Sequence, residues 1–417
     1  MANVVVVGGG FAGLSAAARI AKLRHNVTLL ESGERLGGQL RGITHNSLTW
    51  QVHPETVTLP GVFRDLFRKS GRPLDRVLGF TKIEGRRHLF KDKTVLDLPL
   101  GNRGDQAEAL TAAFGEDRWS PWVDTYTDVW DALRRVALDR TFSGRDDFSK
   151  EQWRALRARR SIAKVARRDL QDERLVKLIL DPIKITGDDR RVSPGFLAAT
   201  HYVERNFGLW RFDGGRPALA DALIERLVER KVTVEYGAHA TGLTLENGEV
   251  RGVRIGETAL DADYVVWAAP TWPDPLPTPR ELPRMPSFRT FLSLDPATPG
   301  LRDDMAIHSN PPIRMWTSGP SQWTVEHQHG EDPLIAMARC GLDLRQYVIE
   351  RWDQSPVDLV TQGHWGWLWQ GWTTALAIPG VDPKGGLFFA GAHAHPGPSL
   401  EMIGMATAAI AEKIGRA

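Results

Sequence analysis

The chain has 417 residues, enough for two to three domains and for a core that buries most of its apolar surface. Its 53 Lys and Arg against 51 Asp and Glu leave a formal charge of +2, which excludes a whole-protein nucleic-acid binder, and 42% hydrophobic residues exclude intrinsic disorder. The one cysteine, Cys340, excludes an intramolecular disulfide and fits a reducing, cytoplasmic setting.

Met1-Ala2-Asn3 leads straight into Val4-Val5-Val6-Val7 without a basic stretch, so no secretory signal is expected. No window holds 18 uninterrupted apolar residues, so no membrane-spanning helix is expected either. The valine run is too short for a helix and suits a strand buried on both faces. It ends in Gly8-Gly9-Gly10-Phe11-Ala12-Gly13, which satisfies G-x-G-x-x-G, and Leu14 to Leu23 follows as a helix without breakers. Asn26 to Leu30 is a second strand, with Glu31 at its end. Strand, glycines, helix, strand and acid stand in the order of a dinucleotide site. Gly8 permits the tight turn, Gly10 lets backbone approach a pyrophosphate, and Gly13 lets helix and strand pack closely. The helix N-terminus offers N–H groups to phosphate, and Glu31 accepts hydrogen bonds from ribose hydroxyls.

Glu31-Ser32-Gly33-Glu34-Arg35-Leu36-Gly37-Gly38-Gln39 resembles the FAD-binding extension of the flavin amine-oxidase superfamily, in which an acid is followed by Arg and Gly-Gly. The resemblance implies FAD rather than NAD. It puts Ser32 and Arg35 at the adenosine end and Gly37, Gly38 and Gln39 near the pyrophosphate and flavin. The next segment, Pro54 to Phe67, resembles the superfamily's loop leading into a helix. Gln51-Val52-His53-Pro54 departs from the usual Asp-x-Gly before that proline, which brings His53 near the flavin where relatives have glycine.

From about 74 to 204 the pattern reads as mostly helical, with few strand signals. Trp153 to Arg168 holds seven basic residues and no acid, interleaved with Trp153, Leu156, Ile162 and Val165. This is a basic, imperfectly amphipathic helix, open to two readings: a solvated face, or peripheral contact with the inner face of an anionic membrane. Val203 to Trp210 with Gly214-Gly215 and Leu219 resembles the superfamily's return into the FAD domain. Asp221 to Glu229 is helical and Thr233 to Tyr236 a strand. Ala240 lies on the strand whose backbone meets adenine in the family, and Tyr264 to Ala268 is a further hydrophobic strand.

Residues 285 to 380 alternate strand-like runs with turns. The densest aromatic feature is Trp365-Gly366-Trp367-Leu368-Trp369-Gln370-Gly371-Trp372, whose odd positions put three indoles on one face of an extended chain, as tunnel wall or as core. His327-x-His329 and His393-x-His395 lack acid or cysteine at ligand spacing, so no metal is expected. Gly386 to Gly391 reads as a strand, Ala392 to Pro398 as a loop and Glu401 to Ile414 as a helix. Ala392 stands where amine oxidases carry an acid. Gly391-Ala392-x-x-His395-Pro396-Gly397 resembles the carotenoid (phytoene) desaturase and retinol saturase branch, in which this unit closes over the flavin. That places Gly391, Ala392, Met402 and Ile403 against the cofactor.

The expected fold is α/β: a Rossmann-like FAD-binding domain from three discontinuous segments (1–73, 205–284 and 381–417), with a helical region (74–204) and a substrate-domain sheet (285–380). The expected activity is that of an FAD-dependent oxidoreductase removing hydride and proton from an apolar, isoprenoid-like substrate, with oxygen or a quinone as electron acceptor. His53, His395 and Glu401 are the candidate proton acceptors by location. Two rivals stand beside it: a flavin amine oxidase, and a non-catalytic lipid- or prenyl-binding escort on the same fold.

Overall fold

The computed structural model describes residues 1–142, 144–156, 160–277, 283–364, 366–369, 374 and 385–417. The β-branched run Asn3–Val7 is the middle strand of a five-stranded parallel sheet. The order across it is Leu387–Phe389, Tyr264–Trp267, Asn3–Val7, Asn26–Glu31 and Thr233–Tyr236. The two ends of the chain thus share one sheet. Val4 to Val7 are buried on both faces, as a central parallel strand requires.

On one face the helix Phe11–Lys22 presents Ala16, Ala17 and Ala18, all fully buried. These small side chains let the helices Pro60–Ser70, Gly215–Glu229 and Leu400–Ile414 pack closely against it. On the other face Val5, Val7 and Leu30 meet Leu243, Val250 and Val253 of a three-stranded antiparallel sheet.

A second, seven-stranded sheet runs in the order Val348–Gln354, Phe288–Leu294, Gln322–His327, Ile313–Thr317, Asp304–His308, Gly85–Phe90 and Val95–Pro99. Its last two strands add a hairpin at the start of the region 74–204, which from Arg103 onward is mostly helical as expected. The hairpin escapes notice because Arg86, Arg87 and Asp97 interrupt its apolar alternation, although Leu96 and Leu98 point inward. The helices of this region, from Arg103–Phe114 to Ala199–Phe207, enclose their own core around Trp119, Trp122, Tyr126 and Leu178.

The basic segment 153–168 is not one helix. Lys150–Ala155 starts at a Ser149 capping box and Ile162–Asp169 at Ser161, with residues 157–159 outside the described ones. Leu156, Ile162 and Val165 are buried in the helical core. The side chains on which a membrane-facing stripe would rest therefore point into the protein. Among the described residues no helix is long and apolar enough to cross a membrane.

Candidate functional site

The turn after the first strand is held by backbone geometry. Gly8 has φ +101° and donates to the Leu30 carbonyl at 2.8 Å. A Cβ on Gly13 would fall 1.8 Å from the Gly8 carbonyl oxygen, so only glycine lets the helix sit this close. A Cβ on Gly10 would meet nothing within 4 Å, because that backbone faces open space. The helix Phe11–Lys22 carries no side-chain cap and no acid in its first turn, which leaves its N-terminal N–H groups available to an anion. Glu31 braces the turn: its oxygens accept from the N–H of Gly9 and of Gly33, each at 2.7 Å. Gly37, at φ +116°, donates to the Gly9 carbonyl at 2.9 Å and ties the following loop to the turn.

This turn opens into a cavity of about 1140 Å³. Gly8, Gly10, Phe11, Ala12, Glu31, Ser32 and Arg35 line one end. Gly38 and Gln39 continue the wall towards Gly391, Ala392, Met402 and Ile403. Three expected cofactor residues do not line it. Gly13 is packed behind the turn, Gly37 clasps it from outside, and Ala240 lies on a strand whose neighbour Ala238 bonds the Glu31 backbone at 2.9 Å.

His53, His395 and Glu401 all line the same cavity. His53 Nε2 lies 3.1 Å from Gln39 Oε1 and 3.1 Å from His364 Nδ1. Burial, with the nearby His364 and arginine charges, holds His53 well below the usual imidazole range, and burial pushes His364 down to about 4. Both rings are neutral at neutral pH. A proton on His53 Nε2 faces two acceptors, which leaves Nδ1 with the free lone pair. His395 donates through Nε2 to the Ala137 carbonyl at 2.6 Å, so its acceptor is likewise Nδ1. Glu401 is already engaged: Oε1 accepts from the Thr58 N–H and, at 3.1 Å, from the Thr58 hydroxyl. That bond latches the loop before Pro60–Ser70 onto the first turn of Leu400–Ile414, where a negative charge is favoured.

Beyond these residues the cavity has a charged floor that local motifs did not reveal. Fully buried Asp304 accepts from Arg86 Nε at 3.1 Å and Arg314 Nη2 at 2.9 Å, and Arg86 reaches Glu204 at 3.0 Å. Arg289 pairs with Glu326 at 3.0 Å and Arg284 with Asp188 at 3.2 Å. Glu55 accepts the Arg216 backbone N–H at 2.9 Å, and burial raises its carboxyl above the ordinary range in spite of Arg216. The opposite wall is apolar, formed by Trp130, Leu133, Phe142, Phe196 and Val203. Of the aromatic run 365–372, Trp369 lines this wall edge-on to Phe196 at 5.6 Å. Trp365, Gln370, Gly371 and Trp372 lie outside the described residues.

Comparison with known proteins places this geometry. The model of the family described as FAD dependent oxidoreductase matches residues 3–410. The 4,4'-diapolycopene oxygenase of Methylomonas sp is 27% identical over 285 residues, covering 63% of this chain and 55% of that protein. The hydroxyneurosporene desaturase of Cereibacter sphaeroides is 29% identical over 278 residues, covering 64% of this chain and 55% of the other. The chain thus spans about half the length of these curated relatives. Cyclohexylamine oxidase from Brevibacterium oxydans superposes with a TM-score of 0.64 at 15% identity, over 99% of both chains, a likeness of fold alone. The cofactor named by the family fits the residues present: an open Gly10 backbone, an uncapped helix N-terminus and Glu31 stand at one end of an extended cavity.

Proposed function

We propose that this chain, which belongs to the FAD dependent oxidoreductase family, oxidises an apolar, isoprenoid-like substrate by removing a hydride and a proton from neighbouring carbons. One observation carries the reading. The glycine turn with Glu31 and the apolar wall of Trp130, Leu133, Phe142 and Phe196 belong to one continuous cavity. A substrate chain lying on that wall shares the cavity with whatever the glycine turn holds.

When bound, FAD supplies the hydride-accepting chemistry. The chain's own residues supply the rest. Gly10 and the first-turn N–H groups receive the pyrophosphate, and Glu31 the ribose. The apolar wall excludes water and holds the reacting carbons in place. Of the three candidate proton acceptors, His53 is the one with an exit. It takes the proton at Nδ1 and releases the one at Nε2 to His364 Nδ1, 3.1 Å away. Glu401 is spent on Thr58, and His395 is tied to a carbonyl. Reoxidation falls to oxygen or a quinone.

The test is a comparison of extractable lipids from cells with and without the protein. A species differing from its precursor by one pair of hydrogens supports the reading. Rapid amine-dependent peroxide formation by the purified protein, with unchanged lipids, replaces it with the amine oxidase. A colourless protein that takes up no flavin replaces it with the escort.

A further inference from the structure

Six arginines line the cavity: Arg35, Arg86, Arg216, Arg284, Arg289 and Arg314. Arg35 stands at the nucleotide end. Arg86, Arg284, Arg289 and Arg314 each touch a carboxylate at 3.2 Å or less. Arg216 does not. Among the described residues its guanidinium makes one hydrogen bond, from Nη2 to the Pro54 carbonyl, and its Nε is sealed from solvent without a partner. The residue is only 9% exposed. Glu55 and Glu401 offset part of its charge at longer range, but they spend oxygens on the N–H groups of Arg216 and Thr58.

A guanidinium does not shed its proton at any working pH, so this is a permanent, buried cation with most of its donors unused. Such a fork matches the two oxygens of a carboxylate, and a pure hydrocarbon in the cavity would leave it with nothing to bind. The Gly214-Gly215 turn, with φ +78° and +71°, fixes the start of its helix. A Cβ on Gly215 would lie 2.8 Å from a Glu55 oxygen, so the position is built and not incidental.

We propose that Arg216 receives an acidic head group of the substrate, which is therefore an amphiphile: an apolar chain on the Trp130–Phe196 wall and a carboxylate at the guanidinium. This rests on the reading of the cavity as a shared flavin and substrate site. The probes are oleate and oleyl alcohol, which share a chain and differ in the head group, titrated calorimetrically into FAD-loaded protein. Oleate is expected to bind about tenfold tighter than the alcohol, and Arg216→Gln to erase that preference by weakening oleate far more than the alcohol. Arg216→Lys, a point charge without the fork, keeps part of it and reports on folding. Equal binding of the two probes overturns the proposal, as does binding of neither, or a preference that survives Arg216→Gln. A midpoint potential of the flavin that moves in Arg216→Gln, with the oleate preference intact, assigns the guanidinium to the cofactor and also overturns it. Protein that takes up no flavin strikes at the functional reading instead; the same two probes are then titrated into that protein, and the presence or absence of the oleate preference still decides the proposal.

Discussion

Asp304→Asn is the most direct probe of the cavity floor. Asp304 is fully buried and accepts from Arg86 at 3.1 and 3.4 Å, from Arg314 at 2.9 and 3.3 Å, and from the Thr56 hydroxyl at 3.2 Å. Asparagine keeps the size and one acceptor oxygen but removes the charge that offsets two guanidiniums. Breaking a buried ion pair by one partner costs about 3–5 kcal/mol. Arg86 retains Glu204, and Arg314 is part-exposed, so the low end of that range, about 3 kcal/mol, is expected. Unfolding entropy of about 2.1 cal/mol/K per residue over 417 residues is roughly 0.9 kcal/mol/K, which makes the expected fall in Tm about 3 °C. The sign with pH follows from the carboxyl. Burial alone would raise its pKa, but Arg314 and Arg86 outweigh burial and hold it well below the usual carboxylate range. Its contribution is therefore complete above the unfolded value of about 3.9 and is lost as pH falls below that. Calorimetric melts of parent and variant should keep a constant gap from neutral pH down to about pH 4 and close it progressively below that, as pH approaches the depressed folded value. A variant that melts with the parent at neutral pH, or a gap that ignores pH, would refute the buried-charge account.

Gly13→Ala forces a Cβ to within 1.8 Å of the Gly8 carbonyl, so the turn must move. Its expected signature is a reduced flavin-to-protein absorbance ratio together with a stability loss of about 1–3 kcal/mol. His201, His364 and His393 are each pushed down to about 4 by burial, so the unfolded chain binds protons at these positions where the folded one does not. Stability should fall as pH drops from about 6.5 to about 4 and lose nothing further to these groups below that, which acid-titrated melts will show. His364→Gln should lower kcat for substrate oxidation by about ten- to a hundredfold with KM and flavin content little changed, as expected for a proton exit and not for a binding wall. Equal losses in flavin content and kcat would place His364 in structure alone.

What the sequence disclosed and what it withheld divide by distance along the chain. The glycine turn is a contiguous backbone device: Gly8, Gly10, Gly13 and Glu31 act through conformations and contacts set within one strand–helix–strand unit, so spacing alone identifies them. The floor has no such signature. Asp304 meets Arg86 across 218 positions because the strands Asp304–His308 and Gly85–Phe90 lie side by side in parallel, and His364 reaches His53 across 311. Register between distant strands is a tertiary fact, and no local periodicity records it. The basic segment fails for a related reason. Arginines mark an outward face, but which way Leu156, Ile162 and Val165 turn depends on the neighbouring helices, whose core takes them in. Arg216 is the sharpest case, since the sequence offers it only as one cation after a glycine pair. Its four paired neighbours read as structural once their carboxylates are seen, whereas a cavity-lining guanidinium that touches no carboxylate is the one for which a ligand is proposed. Partnership, not residue type, separates the binding group from the scaffold.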